Sequence, residues 1–263
     1  MAKQIADCER CRQAISVSEA ETGFKDALSA SLVLIIPALD TVCLSQQDQL
    51  RHNELSYLEQ VSVLKCTSCD KSVALLFNGA YCVLEKLLHD ETKEDGWHKV
   101  ESISDRLVLY ILSQIIYREY EVPDEDELAV EYALPPQTDI CKVLWIKNSA
   151  VGFYSAKPRG SLDLETMEWY SMAVLDTLFI RKPCRRNGYA LSSLKDLLLE
   201  FPDQNVGLSF PISQSMKKVA SKYLNLHPND RMKLWEITGC GSEGNCQNLW
   251  YLFKRHPKTK PEA

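Results

Sequence analysis

Residues 181–190 read Arg181, Lys182, Pro183, Cys184, Arg185, Arg186, Asn187, Gly188, Tyr189 and Ala190, a basic, turn-forming connection that opens a helix. The first N–H groups of a helix have no partner within it, and the aligned peptide dipoles make that end positive. Such an end attracts anions, phosphates in particular. Gly188 and the small Ala190 let a ligand approach the backbone, and Arg181, Lys182, Arg185 and Arg186 can add charge-assisted contacts. The competing reading is a solvated basic loop that caps a helix and holds no ligand.

Cysteine chemistry is the second possibility. Two CxxC pairs occur, Cys8 with Cys11 and Cys66 with Cys69. Each could supply half of a thiolate zinc site, but compact zinc ribbons keep roughly 15 to 20 residues between pairs and the separation here is far longer. The histidines stand at no zinc-finger spacing to either pair. The expectation is ordinary reduced thiols and no metal. Ten cysteines scattered through 263 residues do not read as a disulfide framework either, since a chain of this length can build its own core. The carboxylates between Glu119 and Glu131 crowd around Pro123 and read as a solvated boundary or loop rather than a catalytic set.

These groups must be positioned by regular elements, and the elements are legible mainly in the second half. Residues 141–146 and 150–155 are apolar runs joined by Lys147, Asn148 and Ser149, the pattern of an antiparallel hairpin. A polar loop, residues 157–169, leads to a strand at 173–180 and then to the basic turn. The following helix carries Leu191, Leu194, Leu197, Leu198 and Phe201 on one stripe, with Ser192, Lys195, Asp196 and Glu200 opposite. Val206, Leu208 and Phe210 alternate as a strand. Ser213 caps a helix with Met216, Val219, Ala220, Tyr223 and Leu224 on its apolar face. Two final strands are expected at 234–238 and 249–253, giving the order β, β, β, α, β, α, β, β. Upstream, a hairpin is expected around Asn78-Gly79, a buried helix capped by Ser104, and a buried strand near residues 32–36. The remainder of residues 1–70 carries no clear motif.

Composition narrows the function classes. A net charge of -6 argues against a nucleic-acid partner, which would need a basic face. The longest apolar run, residues 27–39, is too short to span a bilayer and contains Pro37, and no signal peptide is read at the start. An intracellular location, nucleus or cytoplasm, is expected. The expected organisation is an N-terminal β/α region, 1–135, a mixed α/β domain, 136–256, and a basic tail, 257–263.

Arg185 to Ala190 matches R/Q-x-x-G-x-G/A at every specified position, between a strand and an amphipathic helix. In this, residues 141–253 resemble the GNAT (N-acetyltransferase) superfamily. That resemblance implies an α/β (α+β) fold with a mixed, mainly antiparallel central sheet flanked by helices. It also implies acetyl-CoA or another acyl-CoA as cosubstrate, its pyrophosphate held by Arg181, Lys182, Arg185, Arg186, Asn187, Gly188, Tyr189 and Ala190. At finer grain the chain resembles the soluble lamin-associated protein family, as its short paralogue. Val143-Leu144-Trp145, the residues Val151 to Ser155, and the residues Val174 to Lys182 carry that likeness.

The superfamily implies a base on the fourth strand, here Asp176, and a tyrosine acid on the later helix, here Tyr223. Simple alternation puts Asp176 on the face of Val174 and Leu178, turned from bulk water. The residues alone allow a buried Asp with a hydrogen-bond partner and a core tyrosine with its hydroxyl bonded, with His227 a further possible relay. Two functions of different class follow. One is an N-acyltransferase in which an amine, free or on a protein, attacks acyl-CoA directly, its acceptor held by residues 157–169. The other is a non-catalytic interaction protein that keeps the fold, with nuclear lamina proteins as partners by family resemblance.

Overall fold

The hairpin expected at residues 141–155 forms one side of a seven-stranded sheet in the computed structural model of the chain, which describes residues 2–8, 13–18, 33–35, 62–65, 70–77, 80–122 and 134–255. The chain divides into two compact units. The first comprises residues 1–95, 101–122 and 145–150, the second 96–100, 123–144 and 151–263.

In the first unit, β1 (Ala2–Cys8) pairs antiparallel with β2 (Gln13–Ser18). A second, antiparallel sheet has the order β3 (Val33–Ile35), β4 (Ser62–Lys65), β5 (Ser72–Phe77), β6 (Ala80–Val83). β5 and β6 are the hairpin anticipated around Asn78-Gly79, although those two residues lie outside the described set. Leu84 opens a short helix, α1 (Leu84–Leu87). The buried helix is α2 (Ile103–Tyr110), continued in wider π turns over Ile111–Tyr120. Its cap is Ser102, not Ser104. The Ser102 hydroxyl accepts from the Asp105 N–H while the Asp105 carboxylate accepts from the Ser102 N–H, a reciprocal pair that Ser104, inside the first turn, cannot make. Leu107, Val108, Ile111, Ile115 and Ile116 are all buried, as their spacing required.

The large sheet belongs mainly to the second unit. Its strands are β7 (Gly96–Lys99), β8 (Ile140–Ile146), β9 (Ser149–Lys157), β10 (Ala173–Ile180), β11 (Val206–Ser209), β12 (Leu234–Ile237) and β13 (Cys246–Asn248), in the reverse of that order across the sheet. β9 is antiparallel to β10 and β12 to β13, while β10, β11 and β12 run parallel. Lys147 and Asn148 take positive φ, 49° and 63°, at the β8–β9 turn. Gly152 is obligatory for packing, since a Cβ there would stand 2.5 Å from the Phe179 carbonyl oxygen on β10.

Three helices cover one face: α3 (Tyr189–Glu200), α4 (Gln214–Leu226) and α5 (Leu249–Arg255). Leu194, Leu197, Leu198, Ala220, Tyr223, Leu224 and Leu249 join Tyr154, Leu175, Leu208 and Leu234 in one core. Each large aliphatic side chain so buried contributes about 1.5 to 3 kcal/mol. The segment 249–253, expected as a strand, is helical. The Asn248 carboxamide oxygen accepts from the N–H groups of Trp250 and Tyr251, at 3.1 and 3.4 Å, and caps it. Leu249, Leu252 and Phe253 then meet the core at helical spacing. Among the described residues no helix is long and apolar enough to cross a membrane.

Candidate functional site

β10 and β11 pair only from Ala173 to Leu175, against Val206 to Leu208. Beyond Leu175 the two parallel strands share no paired residues, so the sheet opens toward their C-terminal ends. On its other side β10 keeps its ladder with β9, but with a register shift between Leu175 and Thr177. Asp176 is the extra residue of that bulge and stands where the strands part. A bulge re-aims side chains. Accordingly Val174 packs with Tyr170, Ile237 and Cys240, whereas Leu178 packs against the core that holds Leu175 on the opposite face. The alternation expected from the sequence therefore breaks at Asp176, and its side chain is open to solvent rather than turned from it.

Burial nevertheless raises the Asp176 carboxyl above the ordinary range, with Lys157 opposing the rise and Asp163 adding to it. Around Asp176 stand groups that the sequence did not single out individually. Lys157, on β9, places its ammonium 3.3 Å from the buried Asp139 carboxylate and 5.8 Å from the centre of the Tyr170 ring. Burial disfavours the Lys157 charge, but Asp139 and then Asp176 outweigh it and raise its pKa. Tyr170 is also raised, first by burial and then by the nearby thiol and carboxylates. No sequence spacing links positions 139, 157, 170 and 176. Only the sheet register brings them together.

From Ile180 the chain enters the basic turn. Arg181 donates its N–H to the Val151 carbonyl at 2.9 Å, and residues Lys182–Cys184 form a 3₁₀ turn. Arg185 folds back, its Nε donating to the Ile180 carbonyl at 2.8 Å. The Asn187 amide donates to the carbonyls of Cys184 and Arg185 at 3.2 and 3.4 Å. Gly188 caps α3 at φ 87°, a left-handed conformation that favours glycine, and Arg186 also has positive φ, 68°. Space beside Gly188 is open, with nothing within 4 Å of where a Cβ would stand. Its carbonyl accepts from Leu191 and Ser192, while the N–H groups of Gly188, Tyr189 and Ala190 have no partner among the described residues. Arg185, Arg186, Asn187 and Gly188 are exposed. The unpartnered donors, the open space and the four cations fit a phosphate-bearing ligand.

Tyr223 is elsewhere. Because β11 and β12 are parallel, α4 must run back along the sheet between them. Tyr223 therefore lies about 15 Å along the helix axis from the capping Ser213, on the side away from the strand opening. It is buried, its ring stacks on His227 at 4.4 Å, and its hydroxyl donates to Asp230 at 2.8 Å. Burial first, and then Asp230, raise its pKa. The polar stripe of α3 also meets protein. Ser192 accepts from Trp97, Asp196 accepts from Tyr154 at 2.6 Å, and Lys142 reaches Asp196 at 2.8 Å and Glu200 at 3.0 Å. Among the described residues no three metal-ligating side chains cluster. Cys11, Cys66 and Cys69 lie outside the described residues, as does the side chain of Cys8.

No family model matches the sequence. Among solved structures, the chain is similar to a ribosomal-protein-alanine N-acetyltransferase from Brucella melitensis biovar Abortus 2308, with TM-score 0.31 and 13% identity over 50% of this chain and 89% of that one. It is also similar to an acetyltransferase from Vibrio fischeri, with TM-score 0.29 and 19% identity over 43% of this chain and 93% of that one. Mouse protein FAM169B is 34% identical over 209 residues, 72% of this chain, and the match spans 60% of the mouse protein's own length. Human protein FAM169BP is 33% identical over 144 residues, 51% of this chain and 73% of the human protein. Identity at that level over most of the human relative's length means that the chain belongs to the FAM169B family.

Proposed function

We propose that the second unit binds an acyl-coenzyme A and passes its acyl group to an amine. The observation that carries this reading is the placement of Asp176: an accessible carboxylate of raised pKa, at the point where two parallel strands part, on the strand that leads directly into a helix start with unpartnered N–H groups. Acyl-coenzyme A would supply an activated thioester carbonyl. The N–H groups of Gly188, Tyr189 and Ala190 point their partial positive charge at a pyrophosphate, with Arg186 free to swing onto it and Arg185 already anchored at one nitrogen. The edge of β10 beyond Leu175 offers backbone groups to the amides of an extended ligand arm, as a strand edge does to a peptide. Asp176 accepts the proton that the attacking amine loses as its nitrogen bonds to the carbonyl carbon, and the carbon–sulfur bond then breaks with its electron pair on sulfur, so that the coenzyme leaves as a thiolate that takes its proton from water. A raised carboxyl pKa makes Asp176 a better base at neutral pH than an ordinary aspartate.

Tyr223, which the resemblance suggested as the acid, is assigned here to the core, because its hydroxyl is committed to Asp230 away from the opening. That observation is also what favours the second reading, an interaction protein that retains the fold without turnover. Calorimetric titration with acetyl-CoA separates the outcomes. Saturable binding lost in Gly188→Glu supports the coenzyme site, and acetyl transfer to lysine methyl ester lost in Asp176→Asn with binding intact supports catalysis. Failure of the wild type to bind at about 1 mM, the affinity of a few kcal/mol, would sink both claims.

A further inference from the structure

The connection between β9 and β10, expected from the sequence to hold the acyl acceptor, projects a small, ordered loop whose side chains the coenzyme site itself does not use. Leu162 and Trp169 form an antiparallel bridge, the Asp163 N–H donates to the Glu168 carbonyl at 2.8 Å, and the Met167 N–H donates to the Asp163 carbonyl at 2.8 Å. Asp163 closes the turn by accepting from the Glu165 N–H at 3.0 Å, and the buried Cys240 thiol holds its other oxygen at 3.7 Å. A loop with this many internal bonds does not need to leave its apolar side chains in water. It does so all the same: Leu164, Met167 and Trp169 are 55%, 67% and 65% exposed. Exposed apolar groups gathered on one ordered element mark an interaction surface. The same tip carries Asp163, Glu165 and Glu168 and no basic residue.

We propose that residues 162–169 form a docking surface for a basic polypeptide segment that carries apolar residues. Trp169 and Met167 supply the desolvated contact, with the indole face able to take a lysine or arginine of the partner. Glu165 and Glu168, both exposed, supply the complementary charge, which speeds encounter and excludes acidic partners. The inference concerns binding and stands apart from whether Asp176 acts as a base. Because internal hydrogen bonds order the loop already, little conformational entropy is lost on docking.

The test is fluorescence anisotropy of the full chain with three labelled synthetic peptides of equal length: one of lysine and leucine, one of lysine and serine, and one of glutamate and leucine. The lysine–leucine peptide should bind most tightly, and more weakly as salt is raised from about 50 to about 500 mM. Met167→Ser with Trp169→Ser should weaken it about tenfold or more, as loss of an aromatic anchor does. Glu165→Lys with Glu168→Lys should weaken it similarly and move preference to the glutamate–leucine peptide. All four side chains are exposed, so the variants should melt as the wild type does. Equal affinity of wild type and both variants for the lysine–leucine peptide overturns the proposal, as does the lack of saturable binding at about 1 mM peptide. Sedimentation that gives a dimer for the wild type and a monomer for Met167→Ser with Trp169→Ser also overturns it, making a second copy of this chain the occupant.

Discussion

A carboxyl raised by burial holds its proton more tightly in the folded chain than in the unfolded one, so it costs stability once pH rises above the unfolded value. For Asp176 that reference is 3.8, and the loss grows through the window between 3.8 and its higher folded value. Asp176→Asn keeps the neutral form at every pH. Its melting temperature should equal or exceed that of the wild type at pH 7 and lose the advantage near pH 3.8. A variant less stable than the wild type at pH 7 would instead give Asp176 a structural partner. Tyr223→Phe removes one hydrogen bond, that to Asp230, and should cost about 1 kcal/mol in urea unfolding with acetyl-CoA affinity unchanged. Gly188 shows how a single residue can serve two ends, since its positive φ shapes the turn and its missing side chain leaves the helix start open. Ala at this position tests the first alone, Glu both.

Helix α3 is held by more than its leucines. Lys142 on β8 reaches Asp196 and Glu200, and Lys99 on β7 reaches Glu200 at 3.3 Å, so the helix that begins at the basic turn is pinned to two strands. Replacing the buried Lys142 by alanine leaves Asp196 with only the Tyr154 hydroxyl and Glu200 with only Lys99, at a cost of about 3 kcal/mol by denaturant titration. Although burial pushes Glu200 up, Lys142 and then Lys99 hold its carboxyl below the ordinary 4.5. The stability this provides is present above 4.5 and is lost as pH falls through the lower folded value, so the deficit of Lys142→Ala should shrink at acid pH. A deficit that stays constant to pH 3 would mean that the lysine stem, not its charge, matters. In the same core, Asn248→Ala removes the cap of α5, and with it the amide's bonds to the Arg231 and Leu234 carbonyls, and should cost about 1 kcal/mol or more.

For the whole molecule, a ligand that binds only the folded state raises stability by mass action. Acetyl-CoA at about a hundredfold excess over its dissociation constant should stabilise the chain by about 2.7 kcal/mol. Thermal melting should rise accordingly for the wild type and stay fixed for Gly188→Glu. If the melting of both rises equally, the coenzyme is held somewhere other than the start of α3. The net charge of -6 opposes any broad polyanion surface, so the cations at 181–186 act as a local island on an acidic protein.

The amino-acid sequence by itself determined the elements whose signals are local. The hairpin of β8 and β9, the helices α3 and α4, the Ser213 cap and the glycine that opens α3 follow from apolar period and turn chemistry, which act over a few residues. Tertiary structure decided what depends on partners far along the chain. The helix at 249–255 looked like a strand because its apolar run is short, and the core supplied by α4 and β12 with the Asn248 cap settled it. The bulge at Asp176 is a mismatch between two strands, and one strand read alone cannot display it. The polar stripe of α3 was legible as the face opposite the leucines, but nothing in it names Lys142, Tyr154 or Trp97 as its partners. Lys157, Asp139 and Tyr170 gather beside Asp176 for the same reason: side chains distant in sequence become neighbours only when the register of the sheet is set.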